Sequence, residues 1–276
     1  MKIYDCFTYY NEDMILKLRL ETLWDYVDYF VIVEAGFTHS GKDKNFLFNL
    51  DRFQKYSSKI RYLKMTEKPS GWKSSWDLEN AQRNYLINGL FDAEGGDWIM
   101  VSDIDEIPNP TKIASYSPKF IRGDFEQMYL SYYFNNLWLG EDGGSDKWYG
   151  TKITTYERLC NFFKNVNSVR NFKSNGVFRS IKRWFFKKVN VQVISDGGWH
   201  FTWILSLKDI VEKVKATAHT ELDIPKFNDI EYIRERISQG YDFHKPNSRY
   251  RRIEMRPDIF PKYLVDSQKE FREFIL

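Results

Sequence analysis

Cysteine is nearly missing from this chain: Cys6 and Cys160 are the only two in 276 residues. That leaves room for at most one disulfide, excludes a disulfide scaffold and offers no Cys-rich zinc pattern. Proline is sparse as well, at 8 residues, and no fixed-period repeat appears, which excludes long Pro-rich disorder and a solenoid. No apolar run approaches the roughly 18 residues of a membrane span. The start, MKIYDCFTYY, lacks the basic residues, apolar stretch and small-residue cleavage site of a signal peptide. A soluble, cytoplasmic chain is therefore expected, and Golgi residence is not. Net charge is small too. The 41 Lys and Arg against 38 Asp and Glu leave +3, which gives no general argument for nucleic-acid binding.

What the chain has in quantity is apolar and aromatic side chains, 42% and 18% of residues. A chain of this length buries roughly three-quarters of its unfolded surface, enough for one α/β domain with elaborations. Ile3 to Thr8 reads as a first strand. Asn11 is a candidate cap for a helix with Glu12 and Asp13 in its first turn and Leu16, Leu20, Leu23 and Val27 on one face. YFVIVEA follows as a strand without alternation, as expected where both faces are covered in a parallel sheet. Ile60 to Met65 is a weaker strand, Trp76 to Leu90 a helix, and DWIMVSDIDEIPNP a strand running into acidic residues and prolines. This β-α-β order predicts an α/β fold: an open, Rossmann-like, mainly parallel mixed sheet with helices on both faces and ligands near the carboxyl ends of its strands.

Beyond Pro110 the pattern changes. An aromatic run, YLSYYF, is followed by a Gly/Asp/Trp-rich loop at 142–150 and a basic, aromatic segment from Lys173 to Lys188. VQVISDGGWHFTW reads as a strand, Ser206 and Asp209 as a capping box, and Ile230, Ile233 and Ile237 as one helix face. The patches Lys182–Arg183 and Lys187–Lys188, with Arg249, Arg251, Arg252 and Arg256 in the tail, leave anionic-surface or nucleic-acid contact open, but their pattern matches no compact nucleic-acid motif, so nucleic-acid recognition is not expected.

The chemistry concentrates at Asp103 and Asp105, directly after WIMVS. In an extended segment, residues i and i+2 share a face, so both carboxylates could hold one divalent cation; hard oxygen ligands suit Mg²⁺ or Mn²⁺, completed by a bound diphosphate. Such a cation neutralises a leaving diphosphate, but in a hydrolase it would activate water. The turn alone leaves both reactions open.

Taken together, DCFTYYNEDMILKLRLETLWDYVDYFVIVEAGFTHSG, VSDIDEIPNP and GGWHFTW resemble glycosyltransferase family 17, whose best-known members are β-1,4-mannosyl-glycoprotein N-acetylglucosaminyltransferases. The resemblance runs over roughly residues 1 to 220 and implies an inverting enzyme of the GT-A fold. It implies an Asp-x-Asp motif at Asp103 and Asp105, Mn²⁺ or Mg²⁺, a UDP-sugar donor with UDP-GlcNAc first, and a glycan or glycoconjugate acceptor. It divides a single GT-A-like catalytic domain over 1–276 into a nucleotide-sugar-binding half at 1–110, an acceptor and catalytic half at 111–245, and a basic C-terminal extension at 246–276. Animal members carry an amino-terminal anchor and stem, so a short form like this one fits another glycan better than a bisected N-glycan.

On that frame, Glu34 is a candidate for the uracil or ribose, with Thr38, His39 and Ser40 extending its pocket. Arg83, four residues after Glu79, is either a structural ion pair or a phosphate ligand, and Lys152 is a second phosphate candidate. Inverting transfer needs a base for the acceptor hydroxyl. Asp196 beside GGWH comes first, with Glu126 and Asp146 as competitors. His200 is the candidate third metal ligand or phosphate donor, in competition with His219 and with an ordinary buried histidine. Tyr132, Tyr133, Trp138, Trp148 and Trp199 are candidate sugar-stacking rings, and the 142–150 loop a candidate lid. The rival readings are a metal-dependent sugar-nucleotide or phosphoester hydrolase and a non-catalytic glycan-binding module.

Overall fold

The computed structural model describes residues 1–141, 147–172, 191–245 and 247–276. The first part comprises β1 (Ile3–Thr8), α1 (Asp13–Leu23), β2 (Tyr29–Ala35), β3 (Ile60–Met65), α2 (Ser75–Tyr85) and β4 (Trp98–Asp103). Then come β5 (Glu106–Pro108), α3 (Pro110–Ile113), β6 (Arg122–Ser131), β7 (Asn136–Glu141), β8 (Lys147–Thr155), α4 (Tyr156–Arg158) and α5 (Val166–Asn171). The last part holds β9 (Val191–Thr202), α6 (Leu207–Ala216), α7 (Ile230–Ser238), β10 (Ser248–Arg252) and α8 (Lys262–Asp266). Among the described residues no helix is long and apolar enough to cross a membrane, and both cysteines are free.

The strands form one α/β sheet in the order β10-β7-β6-β8-β4-β1-β2-β3, with β9 parallel to β6 and antiparallel to β5. β3, β2, β1 and β4 are mutually parallel. β4 meets β8 antiparallel, as do β8 with β6, β6 with β7 and β7 with β10. The sheet is therefore mixed rather than mainly parallel. The reason lies at the end of β4, where the chain turns at Ile104–Asp105 into β5 instead of entering another crossover helix.

β2 lies between two parallel neighbours with all but its first residue buried, as its continuous apolar run predicts. Alternate residues of the parallel strands feed two cores. Phe7, Phe30, Ile32, Trp98 and Met100 pack with α1 and with Phe260, Leu264 and Phe271 of the C-terminal segment. Tyr4, Cys6, Val31, Val33, Ile99 and Val101 pack on the opposite face with Leu78 of α2 and Val166 and Val169 of α5. A third cluster joins α6 and α7 through Ile210, Val214, Ile233 and Phe243.

Several local expectations shift. Residue 12, not Asn11, sits at the cap of α1, and the Glu12 carboxylate reaches back to the N–H groups of Tyr10 (3.0 Å) and Asn11 (3.3 Å). The helix expected over Trp76 to Leu90 ends at Tyr85 and continues only as a 3-10 turn, Leu86–Gly89. Gly89 packs so closely on Val31 that a Cβ would lie 2.3 Å from it. Residues 147–150 of the expected loop belong to β8, while 142–146, including Asp146, and the basic stretch 173–190 lie outside the described residues.

Arg19 sits on the buried stripe of α1 and is fully buried. Its Nε and Nη2 donate to the two oxygens of Asp5 at 2.7 and 2.6 Å, and Nη2 also donates to Ser102 Oγ at 2.6 Å. Nη1 donates to three backbone carbonyls of the turn after β4: Asp103 (3.1 Å), Ile104 (3.0 Å) and Glu106 (2.9 Å). One guanidinium thus gathers the turn's carbonyls inward. Replacing Arg19 by Met should lower stability by about 3–5 kcal/mol, because Asp5 would stay buried without a counter-ion. Urea unfolding would measure the loss, and addition of Asp5→Asn should restore part of it.

Candidate functional site

A cleft of about 560 Å³ opens where the carboxyl ends of β1 and β4 meet α2, α5, α6 and the start of β8. That volume suits a small-molecule site. Thr8 and Asp103 are register partners at its floor. His200 reaches it because β9 pairs with β5, setting His200 opposite Glu106, and Phe201 N–H donates to the Asp105 carbonyl at 2.8 Å. The end of α6 forms one rim. Ala216 O accepts from His39 N–H at 3.2 Å, and Ala218 O accepts from Ser75 Oγ at 2.7 Å.

Both motif aspartates line the cleft, although Asp105 lies in a tight turn and not in extended chain. Asp103 is gripped by two guanidinia: Arg83 Nη2 donates to Oδ1 at 3.1 Å and Arg170 Nη2 to Oδ2 at 2.7 Å. Arg83 also donates to Glu79 (2.6 Å) and Asn167 (2.9 Å). Glu106 is fully buried behind the turn. It accepts from Arg170 at 2.5 and 2.7 Å, from the Trp148 indole at 2.7 Å and from Asp103 N–H at 2.9 Å. Burial pushes the Glu106 carboxyl up, but the Arg170 charge and hydrogen bonds more than reverse that and hold it well below the usual range.

Asp105 is different. It is buried, and among the described residues its carboxylate takes no hydrogen bond; His200 Nε2 lies 3.6 Å away and Lys213 Nζ 4.0 Å away. Burial, only partly offset by Lys213, pushes its pKa up to about 7. Burial likewise drives His200 down to about 4, so its ring is neutral at pH 7. That ring stacks on Trp148 (centroids 4.9 Å), meets Tyr129 edge-on, and leaves Nδ1 buried without a partner. Lys213 also pairs with Glu12 at 3.3 Å. Glu12, Glu79, Asp103, Asp105 and Glu106 thus face Arg83, Arg170 and Lys213, a formal deficit of two positive charges. Among the described residues no group of three or more His, Cys, Asp or Glu forms a ready metal cage.

The other candidates fall in varied places. Glu34 is fully buried and does not line the cleft. Its carboxylate accepts from Lys44 Nζ (2.5 Å), Leu47 N–H (2.8 Å), Phe48 N–H (3.0 Å) and Tyr62 Oη (2.8 Å), and so holds the 44–48 loop. Lys152 lines the cleft, with Asp124 at 3.2 Å and burial lowering its pKa. Thr38, His39 and His219 also line it, and His39 Nε2 meets Gln82 Oε1 at 2.8 Å. Glu126 is held by Lys147 (2.7 Å) and Tyr149 (3.1 Å), outside the lining. Asp196 is 85% exposed beside Lys112 and outside the lining as well. The neighbouring glycines serve packing rather than substrate: a Cβ at Gly198, where φ is +128°, would lie 2.2 Å from Ile107 O. Of the five proposed stacking rings only Trp148 lines the cleft. Tyr132 donates to Asp242 at 3.0 Å, and Trp199 donates to Ile259 O at 2.7 Å, in the interior.

Arg19, Arg170, Lys213 and Glu12 are the residues that sequence reasoning missed. Only Arg19 carries a signal, lying three residues after Leu16 and four before Leu23 on an otherwise apolar stripe.

Asp105 has a measurable consequence. Its folded-state pKa lies above that of an unfolded aspartate, about 3.9, so its stabilising share is full below that value and is lost as pH rises through about 7. In EDTA, Asp105→Asn should melt several degrees above wild type at pH 8, and the two should converge near pH 4. Calorimetric scans across pH would check this. An unchanged gap would place the carboxylate in a solvated setting.

No curated protein matches the chain. Two solved structures show distant likeness, each with a TM-score of 0.32. One is a 2-C-methyl-D-erythritol 4-phosphate cytidylyltransferase of Francisella tularensis, 12% identical over 58% of this chain and 75% of that one. The other is a glycosyltransferase involved in glycosylation of the major capsid of PBCV-1, 14% identical over 71% of this chain and 81% of that one. At these scores neither bears on fold or chemistry. Residues 1–119 match Glycosyltransferase family 17, and over that stretch, which runs from β1 through both motif aspartates to the end of α3 and beyond, the chain resembles that family.

Proposed function

We propose that this protein is a nucleotide-sugar glycosyltransferase of the GT-A kind, inverting, with UDP-GlcNAc as first donor and a glycan hydroxyl as acceptor. One observation carries the reading: a cleft at the carboxyl ends of parallel strands holds two more carboxylates than cations around Asp103, and a buried Asp105 that takes no hydrogen bond among the described residues and faces His200. A hard divalent cation fits that donor set. Asp105 and His200 would hold it, with Asp103 alongside, and Mn²⁺ or Mg²⁺ bound there supplies positive charge for the departing diphosphate.

The remaining roles belong to the chain itself. Arg170 and Arg83 present guanidinium N–H groups on the cleft wall, suited to phosphate oxygens. Glu34 acts indirectly, by fixing the loop that follows the nucleotide side. Trp148, fixed by Glu106 and stacked on His200, offers a ring edge beside the donor sugar, and Trp76 and Tyr149 extend an exposed aromatic rim for an acceptor. Inversion requires a carboxylate to take the acceptor proton. Glu12, Glu79, Asp103 and Asp105 line the cleft, and among the described residues only one oxygen of Glu79 is hydrogen-bonded, which leaves the other for that task.

A nucleotide-sugar panel with Mn²⁺ and a glycan acceptor array, read by mass spectrometry, tests this. The expected result is an extended glycan formed only when an acceptor is present. Free sugar released at the same rate without acceptor would replace the transferase with a sugar-nucleotide hydrolase. Asp105→Ala and His200→Ala should each reduce transfer by about a hundredfold or more and weaken Mn²⁺ binding measured by calorimetry.

A further inference from the structure

Every cation lining the cleft already has an anionic partner, and the partners differ in how firmly they are fixed. Lys44 is held by buried Glu34, Lys152 by Asp124, and Lys213 by Glu12. Arg170 gives both arms to Glu106, which is fully buried and takes two further N–H groups from the turn and from Trp148. That pair is locked.

Asp103 is the loose member. Its side chain is 38% exposed, against 18% or less for Glu12, Glu79, Asp105 and Glu106. It accepts one guanidinium N–H on each oxygen, from Arg83 and from Arg170. Two guanidinia converging on the two oxygens of one anion, at the wall of an open cleft, form an oxyanion site. In this molecule the anion in it is the protein's own.

We infer that Asp103 is an internal place-holder for the donor's diphosphate, and that Arg83 and Arg170 are the fork that receives the phosphate oxygens when Asp103 leaves. The exchange is non-covalent: two N–H···O contacts to a carboxylate are replaced by two to a phosphate. Because Glu106 keeps hold of Arg170, the guanidinium stays oriented throughout and little ordering is needed on binding. Asp103, 38% exposed, is the most solvent-accessible anion bound to the two guanidinia, and so the one an incoming phosphate can reach. This inference rests on the nucleotide-sugar reading and deepens it.

Its test turns on a sign. A carboxylate that only assists binding would weaken it when neutralised. A competing carboxylate does the reverse. With EDTA present throughout, inorganic pyrophosphate is titrated into wild type and Asp103→Asn by calorimetry. Asp103→Asn should bind about tenfold more tightly, through loss of a like charge within contact distance of the site. Adding Arg170→Lys should erase most of the gain, since an ammonium retained by Glu106 keeps the buried charge matched but has no second arm for the phosphate. Thermal midpoints confirm that both variants are folded.

Equal or weaker binding by Asp103→Asn, or a gain that survives Arg170→Lys, overturns the exchange. A parallel titration of wild type with UDP and Mn²⁺ separates the two failures. Binding there without a gain in EDTA overturns the place-holder alone, and no binding there overturns the nucleotide-sugar reading with it.

Discussion

A guanidinium sealed in a protein core must have its N–H groups answered, and half of the contacts that answer this one come from the backbone of the turn that carries the motif. Arg19 donates to both oxygens of Asp5, to Ser102 and to three carbonyls of residues 103, 104 and 106. An unmatched buried charge is prohibitive, so these partners are mutually obligatory. With the carbonyls drawn toward α1, the side chains of Asp103 and Asp105 are left to face the cleft. The site is thus built from below, by a residue that lines no part of it.

The same geometry explains why the fold changes character at this point. β4 pairs parallel with β1 on one edge and antiparallel with β8 on the other. The turn sits on that seam and feeds β5, whose partner β9 delivers His200. Asp103, Asp105 and Arg83 therefore come from the parallel part of the sheet and its helices, whereas His200, Trp148 and Arg170 come from elements C-terminal to β5. Neither part holds a complete set of polar groups. Placing them together sets five carboxylates against three cations, and Asp105, buried with Lys213 no nearer than 4.0 Å, carries the desolvation cost of that imbalance.

How much of this was legible in the sequence depends on which contacts are local. The strand and helix order to residue 103 is readable because hydrophobic period and turn residues act within a few positions. β2 as a two-sided strand, and Asp103 and Asp105 as a pair, are recognisable on that basis. Glu34 misleads for the opposite reason: three of its four donors lie ten to fourteen residues downstream, on a loop whose return path leaves no periodic trace. Asp196 and its glycines look like a substrate approach, yet Gly198 is required by contact with β5, ninety residues earlier in the chain. Arg170 carries no signal, since a single arginine in a short helix resembles any solvated one until its two acidic partners are known.

Arg19 and Arg170 show how one residue type serves opposite ends. Each is a guanidinium with a bidentate carboxylate, Asp5 for one and Glu106 for the other. The difference lies in the third partner. For Arg19 it is backbone, which cannot leave without unfolding the turn. For Arg170, beyond a long contact to Gly150 O at 3.4 Å, it is the Asp103 side chain, 38% exposed at the cleft. An arginine whose contacts are all buried can only hold shape, whereas one with a displaceable anion at an open wall retains binding capacity for another. In this cleft, rigidity beneath the turn and exchangeability above it are two parts of one arrangement, because the fork stays aimed at the cleft only while the turn stays fixed.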